Sequence, residues 1–367
     1  MDIRKSFDNL SANEIENFIE ALVKLKAEIV NPNAPSSEQY STYDQFVALH
    51  LAVMRLSISG SAPINFGHNN IAFLPWHREF IRRFELALQR VKPGVTLPYW
   101  DWSKIIETNN LLFTDDFLGP LRQNSGIVMP ISSGYFAYDA PVPRPIWWPN
   151  GFNGWRIPQG IRTFNSGTTT APVFPDRIYR VADITPFSGL IWPPTATDIS
   201  NTIAIDLNIP AINDYYFLWL AVEQGQFYRI NAAGTALESV DIRMHNTGHN
   251  WIGGHMATGG SPNEPAFWLH HSFVDYLWAA WQDNGHAAES DYPNAINGPG
   301  GIVNPPGSLL NDEMWPWVGN APGYQPDVSQ RVVDMLPDYT NETPVVLKEV
   351  LDFRSMGYSY DNLEVTS

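Results

Sequence analysis

Residues 244–278 read MHNTGHNWIGGHMATGGSPNEPAFWLHHSFVDYLW, and the spacing within this stretch decides the fold that we predict. His245 and His249 stand four residues apart, which places both side chains on one face if the segment is helical. A second helix, from Pro265 to about Gln282, is predicted by its apolar periodicity, and His271 shares its apolar face. Two helices that turn imidazoles inward indicate a polar site inside a helical core.

Two segments upstream repeat this pattern. His50 lies in the apolar stripe of a helix predicted from Ser41 to about Ser57, and His77 lies in the stripe of a helix from about Leu74 to Val91. One histidine on an apolar face is most often an ordinary core residue, but four such residues in four stripes need a shared buried partner. A metal ion inside a helical bundle is such a partner. We therefore predict a mainly α fold with a four-helix bundle core around a metal site.

The rest of the chain is predicted to scaffold this core. Residues 103–210 are rich in Pro, Gly, Thr and Asn, and the last 85 residues are also loop-rich, so long ordered loops are expected there. No internal repeat or linker is visible, and a single domain over residues 1–367 fits best. The further elements expected are a helix from the Ser11–Glu14 capping box to about Ile29, a short strand such as Asp176–Val181, and helices over Ile212 to about Gln226 and over Ile242–Ile252.

Composition and charge exclude several classes of function. The chain is 44% hydrophobic and 16% charged, which fits a globular protein with a large core. The net charge of −16 argues against nucleic acid or an anionic membrane surface as a partner, because both require a basic face. The first residues lack an apolar signal segment, and no apolar run is long enough to span a bilayer. A cytoplasmic location is the default expectation, with export on a partner protein as the alternative.

The residues available as ligands narrow the choice of metal. The chain has no cysteine, which excludes disulfides, zinc–thiolate sites, iron–sulfur clusters and cysteine nucleophiles. The four-residue histidine spacing also occurs in zinc proteases, but these require Glu after the first histidine, where this chain has Asn246. Di-iron bundles need several inward Glu residues, and the four stripes contain none. Ligation by imidazole alone suits copper.

Four segments resemble the tyrosinase family, the type 3 copper group that also contains catechol oxidases and hemocyanins. HNNIAFLPWHREFIRRFE (68–85), followed by LPYWDW (97–102), is similar to the first copper segment of that family, and residues 244–278 are similar to the second. YDQFVALH (43–50) resembles the helix that carries the first ligand, and GYSYD (357–361) resembles the tyrosine motif that closes the catalytic core. The resemblance spans nearly the whole chain.

The resemblance implies a dinuclear copper site in which dioxygen, as peroxide, bridges two copper ions. In the His270–His271 doublet the family uses the second histidine, which the helical stripe selects independently. His270 would then be a buried neighbour and His286 a surface residue, while His255 stands where relatives often have Gln. The implied ligands are His50, His68 and His77 for the first copper, and His245, His249 and His271 for the second.

The resemblance further implies a phenol oxidase that hydroxylates monophenols at the ortho position and oxidises o-diphenols to o-quinones. In relatives with strong monophenolase activity, a Glu and the Asn after the first ligand of the second copper hold a water, and Glu223 and Asn246 match these positions. A phenol has a pKa near 10 and must lose its proton to bind copper, so a carboxylate–amide–water relay could take that proton. The alternative for Glu223 is an ordinary structural carboxylate.

Two positions correspond to the substrate entrance of the family. Asn250 carries no charge and Gly259 projects no side chain, so we expect bulky or neutral phenols to be accepted.

The sequence departs from the family pattern in three ways. Glu264 replaces the usual Asp, the histidine–cysteine thioether cannot form, and no C-terminal lid domain is expected, so the site should be uncovered unless a separate protein or the loops of residues 103–210 shield it.

Two other functions remain open at this point. A catechol or o-aminophenol oxidase without strong hydroxylation would use the same copper chemistry, and a reversible oxygen carrier like hemocyanin would use only its oxygen binding. The Glu223–Asn246 pair favours the tyrosinase reaction, and the absence of a covering domain disfavours the carrier. The expected partners are a small phenolic substrate and dioxygen, with a copper-loading helper protein as a further possibility.

Overall fold

A computed structural model shows which of these elements form. It describes residues 1–60, 62–121, 129–163, 176–180, 193–209, 212–234, 236–298 and 303–363. The fold is mainly helical, as predicted. Its α-helices are α1 (Ala12–Ala27), α2 (Thr42–Val53), α3 (Phe73–Val91), α4 (Ile105–Glu107), α5 (Ala196–Ile203), α6 (Asp214–Trp219), α7 (His245–Ile252), α8 (Ala266–Trp281) and α9 (Gln330–Val333). Within the described ranges, no helix is both long and apolar enough to cross a membrane.

The first two helices begin at capping boxes. Ser11 accepts a hydrogen bond from the backbone N–H of Glu14, whose carboxylate in turn accepts from the N–H of Ser11, as predicted. Ser41 and Asp44 form the same arrangement at the start of α2. Both helices end earlier than expected. Helix α2 stops at Val53, because Leu56–Ile58 pair as strand β2 with Tyr324–Pro326, which is strand β7.

The strands form four separate two-stranded sheets in the described part of the chain. The bounds are β1 (Asp2–Arg4), β2 (Leu56–Ile58), β3 (Met129–Pro130), β4 (Tyr179–Arg180), β5 (Gln226–Ile230), β6 (Leu237–Asp241), β7 (Tyr324–Pro326) and β8 (Tyr358–Tyr360). The parallel pair β1–β8 brings the amino-terminal segment beside the GYSYD motif. The antiparallel hairpin β5–β6 joins the segment that carries Glu223 to the helix that begins at His245.

The region predicted as loops contains little regular structure where it is described. Strand β4 lies inside the strand predicted over Asp176–Val181, although Val181 itself is outside the described residues. Helix α5 was not predicted; it begins at a capping box made by Thr195 and Asp198. The helix predicted from Ile212 to Gln226 forms as α6, which continues as a π-helical turn over Leu220–Gln224.

A buried network of charges and tyrosines ties α3 to α8. Asp275 accepts hydrogen bonds from Arg78 Nε at 2.5 Å and from Arg4 Nη1 at 3.1 Å. The hydroxyls of Tyr358 and Tyr360 each donate to the same carboxylate at 2.6 Å. All five side chains are buried. Arg78 follows His77 directly, and Asp275 lies one turn beyond His271. The network therefore holds α3 and α8 together next to the histidines that they carry.

Candidate metal centre

The structure gathers seven histidines into two clusters. The first cluster holds His50, His68 and His77; the second holds His245, His249, His270 and His271. In each cluster the possible ligand atoms lie within 4.8 Å of one another. All six predicted ligands are therefore brought together, in the two groups of three that the resemblance implied, with His270 added to the second. Five of the six lie on helices α2, α3, α7 and α8, and His68 lies on the loop before α3.

Three ring nitrogens of the second cluster converge on one point. His249 Nε2 lies 3.0 Å from His245 Nε2, and His271 Nε2 lies 3.3 Å from each of them. The point equidistant from the three atoms is about 1.9 Å from each, close to the ~2.0–2.1 Å bond between an imidazole nitrogen and a zinc ion. The spacing therefore fits one first-row metal ion held by three imidazoles.

Hydrogen bonds orient the ligand rings. The Nδ1 atoms of His50, His77 and His249 lie 2.8, 2.8 and 2.6 Å from the backbone carbonyls of Gly259, Phe73 and Met256. A carbonyl only accepts, so each Nδ1 carries the proton and each Nε2 carries a free lone pair. The Nε2 atoms of His50 and His77 are buried and have no hydrogen-bond partner among the described residues. Such atoms need a partner, and a metal ion supplies one.

Burial keeps these imidazoles neutral. It lowers the pKa of His50 to about 3 and that of His249 to about 4. It also lowers the pKa of His68, His77 and His271 well below 6.5, and the neighbouring histidines lower it further. Neutral imidazole is the form that binds a metal. At neutral pH the clusters are therefore ready to accept a cation.

The two clusters adjoin one another. The rings of His77 and His271 are stacked with their centroids 4.2 Å apart, and those of His68 and His245 are 6.0 Å apart. Phe73 packs against His245 at 4.8 Å. Two metal ions held in these clusters would be close neighbours inside an aromatic shell, which is the arrangement required for both to act on one small molecule.

The remaining histidines differ in their surroundings. His270 is fully buried in the second cluster, and its ring centroid lies 4.6 Å from that of His249 and 4.9 Å from that of Trp102. His255 accepts a hydrogen bond at Nδ1 from the backbone N–H of Tyr179, so it supports strand β4. His286 is half-buried, and its ring stacks on Trp281 at 4.2 Å.

Glu223 is buried close to the first cluster. Its Oε1 accepts a hydrogen bond from the backbone N–H of Asn69 at 2.7 Å, and its Oε2 accepts one from the indole N–H of Trp219. Burial raises the pKa of Glu223 to about 7, although these two donors and the side chain of Gln224 favour the charged form. Asn246 is exposed, and its Oδ1 lies 3.0 Å from Nδ1 of His245. No hydrogen bond joins Glu223 to Asn246 among the described residues, so a relay between them requires a bridging water.

The two predicted entrance positions are placed differently. Asn250 is exposed on α7, next to His249. Gly259 accepts the Nδ1–H of His50 through its carbonyl, a role that the sequence did not reveal. A Cβ atom at Gly259 would lie 3.0 Å from Sδ of Met54 and 3.2 Å from Cδ2 of Leu51, so a larger side chain would press on α2.

Glu264, which stands where the family usually has Asp, forms a buried ion pair. The carboxylate of Glu264 pairs with Arg180 through two hydrogen bonds of 2.6 and 2.8 Å, and both side chains are buried. Glu264 Oε1 also accepts from the backbone N–H of Ala266 at the start of α8. Arg180 in turn donates to the carbonyls of Leu118 and Gly119. Glu264 therefore secures the ligand-bearing helix α8 to the neighbouring loop.

Comparison with known proteins assigns this arrangement to a family. Residues 40–284 match the family described as the common central domain of tyrosinase. A tyrosinase of Streptomyces antibioticus is 32% identical over 325 residues, which cover 88% of this chain and 95% of that protein. The grixazone synthase of Streptomyces griseus is 30% identical over 308 residues, 80% of this chain and 87% of that protein. A polyphenol oxidase of Thermothelomyces thermophila superposes with a TM-score of 0.57 at 20% identity, covering 99% of this chain and 89% of that chain, and so shares the fold.

Proposed function

This chain belongs to the tyrosinase family, and on that basis we propose that it holds two copper ions, one in each histidine cluster. The first would be held by His50, His68 and His77, the second by His245, His249 and His271. The observation that carries the proposal is the convergence of the three Nε2 atoms of the second cluster. Beside it, the buried Nε2 atoms of His50 and His77 in the first cluster have no hydrogen-bond partner among the described residues.

The protein is a tyrosinase-type copper phenol oxidase. Its substrates in this proposal are dioxygen and small phenols, which it converts by ortho-hydroxylation of monophenols and by oxidation of o-diphenols to o-quinones. When bound, copper supplies the electron transfer with dioxygen that no side chain of this chain can perform. The chain itself contributes oriented neutral ligands, a site enclosed by aromatic rings, and a group that accepts a proton.

Glu223 is the proposed proton acceptor. With a pKa of about 7, its carboxylate is half-ionised at neutral pH, which suits a general base. Asn69, Trp219 and Gln224 already donate to its oxygens, but a carboxylate has about four acceptor positions. A water could bond to one of the remaining positions and to the free amide NH₂ of Asn246, whose Oδ1 is directed to His245. A phenol hydroxyl would then release its proton through that water.

A catechol or o-aminophenol oxidase without strong hydroxylation is the second candidate. The observation in its favour is that Glu223 and Asn246 make no direct hydrogen bond in the described structure, so the relay depends on a water.

Asn250 and Gly259 are proposed to line the substrate entrance for either function. Asn250 adjoins the proposed ligand His249, and the carbonyl of Gly259 bonds to the proposed ligand His50.

Oxygen uptake by the copper-loaded protein tests this choice. We expect uptake on tyramine or p-cresol as well as on 4-methylcatechol, and slower uptake on o-aminophenol. Rapid oxidation of 4-methylcatechol with no uptake on either monophenol would assign the second candidate. Binding of fewer than two copper ions per chain, measured by elemental analysis, would contradict the copper assignment.

The requirement for a helper protein is a separate part of the proposal. A helper that delivers copper is proposed because both clusters are largely buried, which restricts access for a hydrated ion. Incubation of the purified chain with copper salt alone tests it. Full loading without any partner would show that no helper is needed.

A further inference from the structure

His68 is anchored less directly than the other two histidines of its cluster. It lies outside the helices, whereas His50 and His77 lie on α2 and α3. The rings of His50 and His77 are fixed by bonds from Nδ1 to carbonyls, but Nδ1 of His68 has no hydrogen-bond partner in the described part of the chain. Its ring packs at 4.8 Å from that of His77 and at 5.6 Å from that of Phe73. The direction of its ring therefore depends on its backbone.

That backbone is held in an uncommon conformation. Asn69, the next residue, has φ = +60°, in the left-handed region. Residues other than glycine rarely adopt this conformation, although Asn does so more readily than most. A conformation of this kind persists only where surrounding contacts enforce it.

The peptide bond between His68 and Asn69 is held at both of its polar atoms. The carbonyl of His68 accepts a hydrogen bond from the side-chain amide of Asn70 at 2.8 Å. The N–H of Asn69 donates to Oε1 of Glu223 at 2.7 Å. Because a peptide group is planar, two contacts on opposite edges fix the orientation of the whole plane and the position of the His68 Cα within it, which limits where the ring of His68 can lie.

The residue after Glu223 completes the contact. The side-chain amide of Gln224 donates to Oδ1 of Asn69 at 3.0 Å. Glu223 and Gln224 end the π-helical turn Leu220–Gln224, and Trp219 fixes the carboxylate of Glu223 from the other side. Single π-helical turns often occur at functional sites. Two consecutive residues of this turn thus bind Asn69, one at its backbone and the other at its side chain.

We propose that Glu223 and Gln224 position His68 by clamping Asn69, so that copper affinity in the first cluster depends on this contact. The inference rests on the proposed function, because it takes His68 as a copper ligand. It gives Glu223 a positioning role in addition to proton transfer. Gln224 and Asn69 become positioning residues that touch neither copper nor phenol.

The test substitutes Gln224 and Asn69 and keeps the Glu223 side chain. Copper-loaded wild type, Gln224→Ala and the control Gln226→Ala are titrated with a chromogenic copper chelator, and the retained copper is counted. Gln226 is exposed, and its side chain makes no hydrogen bond among the described residues. Gln224→Ala removes the hydrogen bond to Asn69 and also a donor to the carboxylate of Glu223. We expect it to release its first copper at least about fivefold more readily than wild type, while Gln226→Ala behaves as wild type.

A second series separates backbone conformation from side-chain chemistry. Asn69→Gly keeps the left-handed conformation accessible, whereas Asn69→Val strongly disfavours it. We expect Asn69→Gly to weaken copper retention no more than Gln224→Ala does, because both lose the bond between Gln224 and Asn69 but only Gln224→Ala also loses a donor to Glu223. We expect Asn69→Val to weaken copper retention about tenfold more than Asn69→Gly. The chain that keeps one copper should show the EPR signal of an isolated Cu(II) ion in an all-nitrogen site, because the second cluster is untouched.

Unchanged copper retention in Gln224→Ala and Asn69→Val would overturn the inference. So would equal loss from both clusters, because that outcome indicates general destabilisation. If wild type itself binds fewer than two copper ions, the proposed function fails together with this inference. If wild type binds two and oxidises catechol while the variants retain copper normally, the positioning role alone fails.

Discussion

Replacing Asp275 by Asn should lower the free energy of unfolding by about 3–5 kcal/mol, the cost of breaking a buried ion pair by removing one partner. The carboxylate is buried and accepts from Arg78 at 2.5 Å and Arg4 at 3.1 Å, as well as from Tyr358 and Tyr360 at 2.6 Å each. An amide at this position would leave an uncompensated positive charge in the interior. Its NH₂ group would also face donors that have lost their acceptor.

Urea denaturation of the copper-free protein at neutral pH measures this loss. Asp283→Asn serves as the matched control, because Asp283 pairs with Arg354 at 2.6 Å where both side chains are about a quarter exposed. A pair at the surface contributes less than about 1 kcal/mol. If Asp275→Asn loses no more stability than Asp283→Asn, the network does not hold α3 and α8 together and the reasoning is wrong.

The same variant has a defined pH dependence. Burial raises the pKa of Asp275, but Arg78 and Arg4 outweigh it and hold the pKa below 3.8. A carboxyl group with a lowered folded-state pKa stabilises the protein above its unfolded value, near 3.9, and loses that contribution as the pH falls through the folded value. The difference between wild type and Asp275→Asn should therefore be constant from pH 5 to 7 and shrink only in strong acid.

Three further predictions concern the site itself. Burial raises the pKa of Glu223 to about 7, and a base acts only when ionised, so turnover of p-cresol should rise as the pH increases through about 7. Glu223→Gln should reduce turnover and abolish that rise. Oxygen uptake measured between pH 5.5 and 8.5 tests both expectations. His271→Asn should leave one copper per chain by elemental analysis, whereas His270→Asn should retain two, and the reverse result would exchange their roles. Gly259→Phe should lower monophenol turnover more than catechol turnover, whereas equal losses would show that its carbonyl contact with His50 is disturbed instead.

The helices that carry histidines were predictable because helical periodicity is a local property. His50, His77, His249 and His271 each lie in a stripe that can be recognised within one segment, and in the structure two of them fall in each of the two adjoining clusters. His68 has no such stripe and entered the ligand set only through the resemblance. Local periodicity also could not reveal the carbonyl of Gly259 that binds His50, because the two residues are 209 positions apart in the chain.

Elements with little buried surface were missed. Helix α5 buries only Ile199 and Thr202, and its eight residues are fewer than the ~11–18 over which a helical period can be recognised. The β5–β6 hairpin has no fully buried residue in either strand, and no alternation of apolar and polar residues marked it. The contacts of Glu223 and Gln224 with Asn69 were equally hidden, because they join residues about 154 positions apart in the chain.

The carbonyl-bound Nδ1 atoms determine how the protein takes up its metal. Most metal sites must release protons from their ligands and reorder them as the ion arrives, so affinity falls with acidity. Here burial lowers the pKa of His50 to about 3 and of His249 to about 4, and the carbonyls already hold both rings. Folding has thus completed the deprotonation and ordering in advance. Copper uptake should release almost no protons into the buffer, and a mildly acidic medium should hardly weaken it.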